Sequence, residues 1–169
     1  MVRDQHIELP ALLPRLVAFA RTIVGNPETA RDLVQEAVAR ALAARRVPVD
    51  QPAYRAWMFQ IVRNAAIDEL RRNRLEVAVE QAPITVDLWR FDDAHIAKLT
   101  VERGLSGLAP AHREIIALID IAGFSYAEAA ALLGVPDGTI MSRIARAREA
   151  LLAAIDASTL RVLKSSHGR

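Results

Sequence analysis

An all-α chain of two small helical domains joined by a flexible linker, the C-terminal one a helix-turn-helix, is predicted by three observations. Apolar residues recur at helical spacing in almost every segment, and no run alternates long enough to argue for a sheet. Between Leu75 and about Asp92 that period disappears, and Pro83, several β-branched residues and surplus acid replace it. Residues 1–74 therefore read as one helical domain, 75–92 as an acidic extended linker, 93–156 as the helix-turn-helix domain and 157–169 as a polar tail. With 169 residues, 52% of them hydrophobic, there is enough apolar surface for packed cores.

Each element has a local reason. After "ELPALLP", Leu16, Phe19, Ala20 and Ile23 form one apolar face that Gly25 ends. Asn26 offers a cap and Pro27 a first helical position, and Ala30, Leu33, Val34, Ala37, Val38 and Ala41 continue as a stripe, predicting a helix to about Arg45. "RVPVDQP" has two prolines in seven residues and reads as a loop; Pro52 then opens a third helix through Tyr54, Trp57, Met58, Ile61, Val62, Ala65 and Leu70.

Past the linker, Ile96, Leu99 and Leu105 predict a fourth helix, and "PAHREIIALIDIAG" a fifth, opened by Pro110 and closed by Gly123. Ser125 and Glu128 have the spacing of a capping box, which predicts a short helix from about Tyr126 to Leu133, ended by Gly134. The last helix follows Pro136 after only a few residues, as a helix-turn-helix requires.

Composition excludes several classes of function. The absence of cysteine removes disulfide frameworks and cysteine-based zinc or redox motifs, and His6, His95, His112 and His167 are too scattered for a short metal-ligand motif. No metal, cofactor or catalytic residue is expected, since no nucleophile and base are grouped. No apolar run is long enough to span a membrane, so the expected location is cytoplasmic, without membrane insertion. Net charge is +2, but residues 1–75 hold 12 basic and 8 acidic side chains, 76–104 hold 3 and 6, and 105–169 hold 7 and 6. Two mildly basic parts thus flank an acidic middle. Only Lys98 and Lys164 among the 22 basic residues are lysine, a bias that suits bidentate recognition of phosphate or guanine and equally suits a GC-rich genome.

Two helices carry the chemistry. In the last one, Ile140, Ile144, Ala147 and Leu151 make a buried stripe, while Thr139, Ser142, Arg143 and Arg146 share another face. Hydroxyls and guanidiniums near the start of a recognition helix are the groups that reach base edges and phosphates. In the third helix, Tyr54, Trp57 and Phe59 fall within six residues, followed by Arg63, Asn64, Asp68, Arg71, Arg72 and Arg74. Rings that stack unpaired bases beside cations that track the backbone are what single-stranded DNA requires. Trp57 reads as mostly core, and Phe59, two residues on, is expected to point elsewhere.

Three stretches in this order resemble the extracytoplasmic-function (ECF) group of bacterial RNA polymerase sigma factors. "LVAFARTIVGNPETARDLVQEAVARALA" resembles the opening of sigma region two, "AYRAWMFQIVRNAAIDELRR" its promoter-melting part, and "GLAPAHREIIALIDIAGFSYAEAAALLGVPDGTIMSRIARAREAL" region four. The resemblance implies that "DLVQE" docks on core RNA polymerase through Asp32, Gln35 and Glu36, with Leu33 and Val34 facing inward. It implies that the loop Arg46 to Ala53 captures a flipped base, that Phe59, Gln60, Asn64 and Asp68 line the single-stranded non-template strand, and that Thr139, Met141, Ser142, Arg143 and Arg146 read the duplex upstream element. Arg63, Arg71 and Arg72 supply the cations of the melting face. Met141 and Ala145 depart from the family's more usual larger or basic contacts. The linker resembles a segment that threads toward the polymerase active site, and exposed docking faces on both domains imply an anti-sigma protein that clamps them together.

Two other readings fit the helix-turn-helix. A transcriptional regulator acting without core polymerase would bind a palindrome as a symmetric dimer, and leaves the third helix unexplained. A sigma-like decoy for an anti-sigma protein would have no use for arginines in both domains.

Overall fold

The computed structural model describes residues 8–76 and 93–166, with side chains over 8–73 and 99–157. Its helices are α1 (Leu9–Val24), α2 (Pro27–Leu42), α3 (Gln51–Glu76), α4 (Asp93–Ser106), α5 (Pro110–Ile116, continued by a π-helical turn over Ala117–Ile121), α6 (Tyr126–Leu133) and α7 (Asp137–Ser166). Among the described residues there is no strand. Most of the linker, residues 77–92, lies outside them.

The N-terminal unit is a three-helix bundle. Leu16, Phe19, Ala20 and Ile23 of α1 meet Ala30, Leu33, Val34, Ala37 and Ala41 of α2 and Tyr54, Met58, Val62, Ala65 and Ala66 of α3, all buried. Each large side chain so covered contributes about 1.5–3 kcal/mol. The α1–α2 turn is short because each side of it is capped. Gly25 takes a left-handed φ of 81° and its N–H donates to Arg21 O, while the Asn26 carboxamide oxygen accepts from Glu28 N at 2.8 Å and Thr29 N at 3.0 Å.

Helix α1 starts earlier than the stripe from Leu16 predicts. Pro10 occupies its first turn, where a missing N–H is harmless, and Pro14 lies inside the helix on its exposed side, where its ring faces solvent. Helix α2 stops at Leu42 rather than Arg45. Helix α3 opens on Asp50, whose carboxylate accepts from Ala53 N at 3.0 Å.

In the C-terminal unit α4, α5 and α6 pack around α7. Ile140, Ile144 and Ala147 are buried along α7, and Leu151 is half-buried, as the spacing predicts. Gly104 permits the α4–α7 crossing: a Cβ there would stand 3.0 Å from both Ile155 Cγ1 and Leu151 Cδ1. Helix α6 spans the predicted residues and carries a complete capping box, with Glu128 N donating to Ser125 Oγ at 3.2 Å and Ser125 N to Glu128 Oε2 at 2.7 Å. Helix α7 continues past Ala157, where the sequence suggests a polar tail, to Ser166.

Ile140→Ala should destabilise the C-terminal unit by about 2–5 kcal/mol, because the cavity it leaves lies where α7 meets its neighbours. Chemical denaturation followed by far-UV circular dichroism measures this; a loss under about 1 kcal/mol would show that the site collapses freely.

Candidate functional site

Three polar surfaces emerge on the two units. On α2, Asp32, Gln35 and Glu36 are exposed while Leu33 and Val34 are buried, the division predicted for a docking face. Glu36 pairs with Arg40 across one helical turn, an exposed interaction worth about 0.3–0.5 kcal/mol. Such a pair costs little to break.

On α7, Met141, Ser142, Arg143 and Arg146 are exposed and Thr139 is half-buried. Ser142 Oγ donates to Thr139 O at 3.1 Å, and Arg146 Nε donates to Ser142 O at 3.1 Å, so Arg146 lies along its own helix. These are exposed bonds that a phosphate or a guanine edge can replace. Arg148 instead forks onto Asp120 at 2.5 and 3.2 Å, tying α7 to the π-helical turn. The Ser125–Glu128 box and Gly134, at φ 65°, hold the turn that sets the angle of α7.

On α3, Gln60 Nε2 donates to Asn64 Oδ1 at 2.9 Å, and Asp68 and Arg71, like Glu69 and Arg72, form exposed local pairs at 3.6 and 2.7 Å. These side chains share the outer surface predicted for strand melting. Two members do not. Phe59 is fully buried, correcting the expectation that it points outward: its ring packs in T-shaped geometry against Phe19 at 5.2 Å and against Phe124 at 5.0 Å. Arg63 is four-fifths buried and bonded to Glu114 of α5, Nε to Oε1 at 2.5 Å. Trp57, expected in the core, is only partly buried and leans on Tyr54, with ring centroids 5.8 Å apart.

The reason Phe59 and Arg63 depart is that the units pack against each other, which helical periodicity within one unit does not report. Arg55, not singled out by any sequence pattern, organises the contact. Its guanidinium lies 4.0 Å from the centroid of the Phe124 ring, donates through Nη2 to Ala122 O at 2.7 Å and approaches Glu128 at 3.7 Å. Ala122 O is available because it ends the π-helical turn, where carbonyls lack helical partners. Arg21 and Glu102 make a further bridge at 2.6 Å, beside an apolar groove of about 540 Å³ between α1 and α4. The contact is therefore incomplete, and the buried Arg55 Nε has no hydrogen-bond partner. Among the described residues no acidic or histidine cluster could hold a metal, and no helix is long and apolar enough to cross a membrane.

Comparison with known proteins agrees with this division. Residues 10–76 match the Sigma-70 region 2 family and residues 98–151 the Sigma-70 region 4 family. A chain with both units in this order is a sigma factor of the sigma-70 type. The ECF RNA polymerase sigma factor EcfG of Rhodopseudomonas palustris is 37% identical over 150 residues, covering 86% of this chain and 82% of that one, and SigL of Mycobacterium tuberculosis is 34% identical over 157 residues, covering 89% and 86%. Among solved structures, the sigma factor RpoE in complex with the anti-sigma factor NepR from Bartonella quintana has a TM-score of 0.70 at 32% identity, covering 91% of this chain and 98% of that one. CnrH, in complex with the cytosolic domain of CnrY, has 0.65 at 30% identity, covering 92% and 89%. The chain belongs to the ECF group of RNA polymerase sigma factors, alternative sigma factors that bind core RNA polymerase and promoter DNA. A regulator working without the polymerase has no need of both regions, and that alternative is set aside.

Glu128 links the recognition turn to pH. Its carboxyl is held below the usual carboxylate range, first by the hydrogen bond from Ser125 N, then by the Ser125 hydroxyl and by Arg55. A lowered folded-state pKa gives stability that is present above the unfolded value and lost as pH falls through the folded one. Glu128→Gln should therefore melt at lower temperature than the parent chain at neutral pH, with the gap closing in acid below the ordinary glutamate pKa. A gap independent of pH would show that packing, not the charge, carries the effect.

Proposed function

We propose that this sigma factor works through three surfaces of its own chain. Asp32, Gln35 and Glu36 on α2 dock on core RNA polymerase. Thr139, Met141, Ser142, Arg143 and Arg146 on α7 enter the major groove of the upstream promoter element. Gln60, Arg63, Asn64, Asp68, Arg71 and Arg72 on α3, with the Arg46 to Ala53 loop, take the non-template strand as the downstream element opens; Phe59, buried between Phe19 and Phe124, is left out of this surface. The observation that carries this reading is the face of α7: four polar or long side chains project from its first turns, while Ile140, Ile144 and Ala147 anchor the opposite side.

Capture of flipped bases offsets an unstacking cost of a few kcal/mol per base, so opening needs no nucleotide hydrolysis by this chain, and we assign it no enzymatic activity and no cofactor. The same reading places the protein in the cytoplasm with the polymerase. An anti-sigma protein is the expected inhibitor; support comes from the complex of the RpoE relative with the anti-sigma factor NepR. A decoy that only binds such an inhibitor would not need the exposed Arg143 and Arg146, which argues against that alternative.

The decisive experiment is transcription in vitro from fragments of the source genome with core bacterial polymerase, with and without this protein, and start sites mapped. New starts sharing two spaced sequence elements are expected; no gain in initiation would overturn the reading. Arg146→Ala should weaken upstream-element binding of the holoenzyme by about 1–3 kcal/mol if the side chain reads a base. An unchanged footprint would remove Arg146 from the interface.

A further inference from the structure

The exposed side of α7 is divided into two columns of different chemistry. Residues four apart stand one above the other on a helix, so Met141 is stacked with Ala145 and Ser142 with Arg146. All four are exposed, outside the buried stripe of Ile140, Ile144 and Ala147. The Ser142–Arg146 column is polar and joined internally, with Arg146 Nη2 donating to Ser142 Oγ at 3.4 Å. The Met141–Ala145 column carries no strong donor or acceptor, and the Met141 side chain stands 57% exposed to water. Ahead of both columns lies Gly138, where a Cβ would meet nothing within 4 Å, so the first turn of the helix presents bare backbone.

We infer that Met141 reads the 5-methyl group of a thymine in the upstream element, beside the base or phosphate that Arg146 engages. The inference rests on the placing of α7 in the major groove and goes beyond it by naming the base under Met141. Desolvation makes the choice among the four bases. In the major groove guanine presents two acceptors, adenine an acceptor and a donor, and cytosine a donor. An apolar side chain laid over any of these takes it from water without giving it a partner. Thymine alone also carries an apolar group there, its methyl, and that group gains from being covered. Methionine suits the contact because its unbranched, polarizable chain adapts to the surface it meets. Ala145, one turn on, is small enough to let the base approach, whereas a basic side chain at position 141 would seek a phosphate or a guanine instead.

Full-length protein bound to core RNA polymerase, with a promoter taken from its own mapped start sites, tests this. Each thymine of the upstream element, on either strand, is replaced singly by deoxyuridine, which removes only the methyl group, and the affinity of the holoenzyme for each fragment is measured. One position should weaken binding about fourfold, the factor that corresponds to burial of one methyl-sized group. That loss should vanish in Met141→Ala and persist in Met141→Leu, which keeps the apolar surface. Both variants should melt with the parent chain, because Met141 lies outside the core. A uracil penalty of equal size in wild type and Met141→Ala would assign the effect to the shape of the DNA and overturn the inference. An upstream element in which no thymine responds would overturn it too. The placing of α7 fails in a different way: if Arg146→Ala and Met141→Ala both leave the upstream footprint and the affinity unchanged, α7 is not the reader and both readings fall. A footprint weakened by Arg146→Ala, with no uracil position answering to Met141, removes the thymine contact alone.

Discussion

Phe59 sits between two rings, Phe19 of its own unit and Phe124 of the other, meeting both edge to face. Most of the remaining arrangement depends on that position. An α-helix presents a new face every 100° or so, and α3 must divide its circumference between a bundle core, a contact with the second unit and a polar surface. Tyr54, Met58, Val62 and Ala65 take the first role, Arg55, Phe59 and Arg63 the second, and Gln60, Asn64, Asp68 and Arg72 what remains. Aromatic pairs of this geometry are worth about 0.5–1.5 kcal/mol each beyond the area they bury, enough to orient two units without fusing them.

The C-terminal unit is built for a fixed angle. Its capping box, the left-handed Gly134 and the Arg148–Asp120 fork all constrain the start of α7, and the π-helical turn ends α5 in a carbonyl that Arg55 can reach. A recognition helix needs such support because a base edge is read by hydrogen bonds that fail within tenths of an ångström. The same turn is where the N-terminal unit attaches. The recognition turn and the contact between the units thus share Glu128, which caps α6 through Ser125 and approaches Arg55.

Where local rules are broken, a second demand on the residue explains it. A basic, aromatic helix would be expected to keep its cations in water, yet Arg55 and Arg63 are four-fifths buried. Half-buried ion pairs contribute little net stability, since desolvation cancels much of the attraction, but losing one partner strands the other. The polar faces of α2 and α7 stay exposed and show no such conflict.

Much of this protein was legible in its residues alone. Periodicity placed α2, α6 and the buried stripe of α7, the S-x-x-E spacing located the capping box, and the split between Asp32, Gln35 and Glu36 outside and Leu33 and Val34 inside followed from the 3.6-residue repeat. These depend on neighbours within a turn or two, where sequence distance and spatial distance agree. The burial of Phe59, the partial exposure of Trp57 and the pairing of Arg63 with Glu114, 51 positions away, were decided by tertiary structure. Nothing in a helical period says which of two apolar faces meets a second domain, and the anchor of that contact, Arg55, looks in the sequence like any other arginine on a soluble helix.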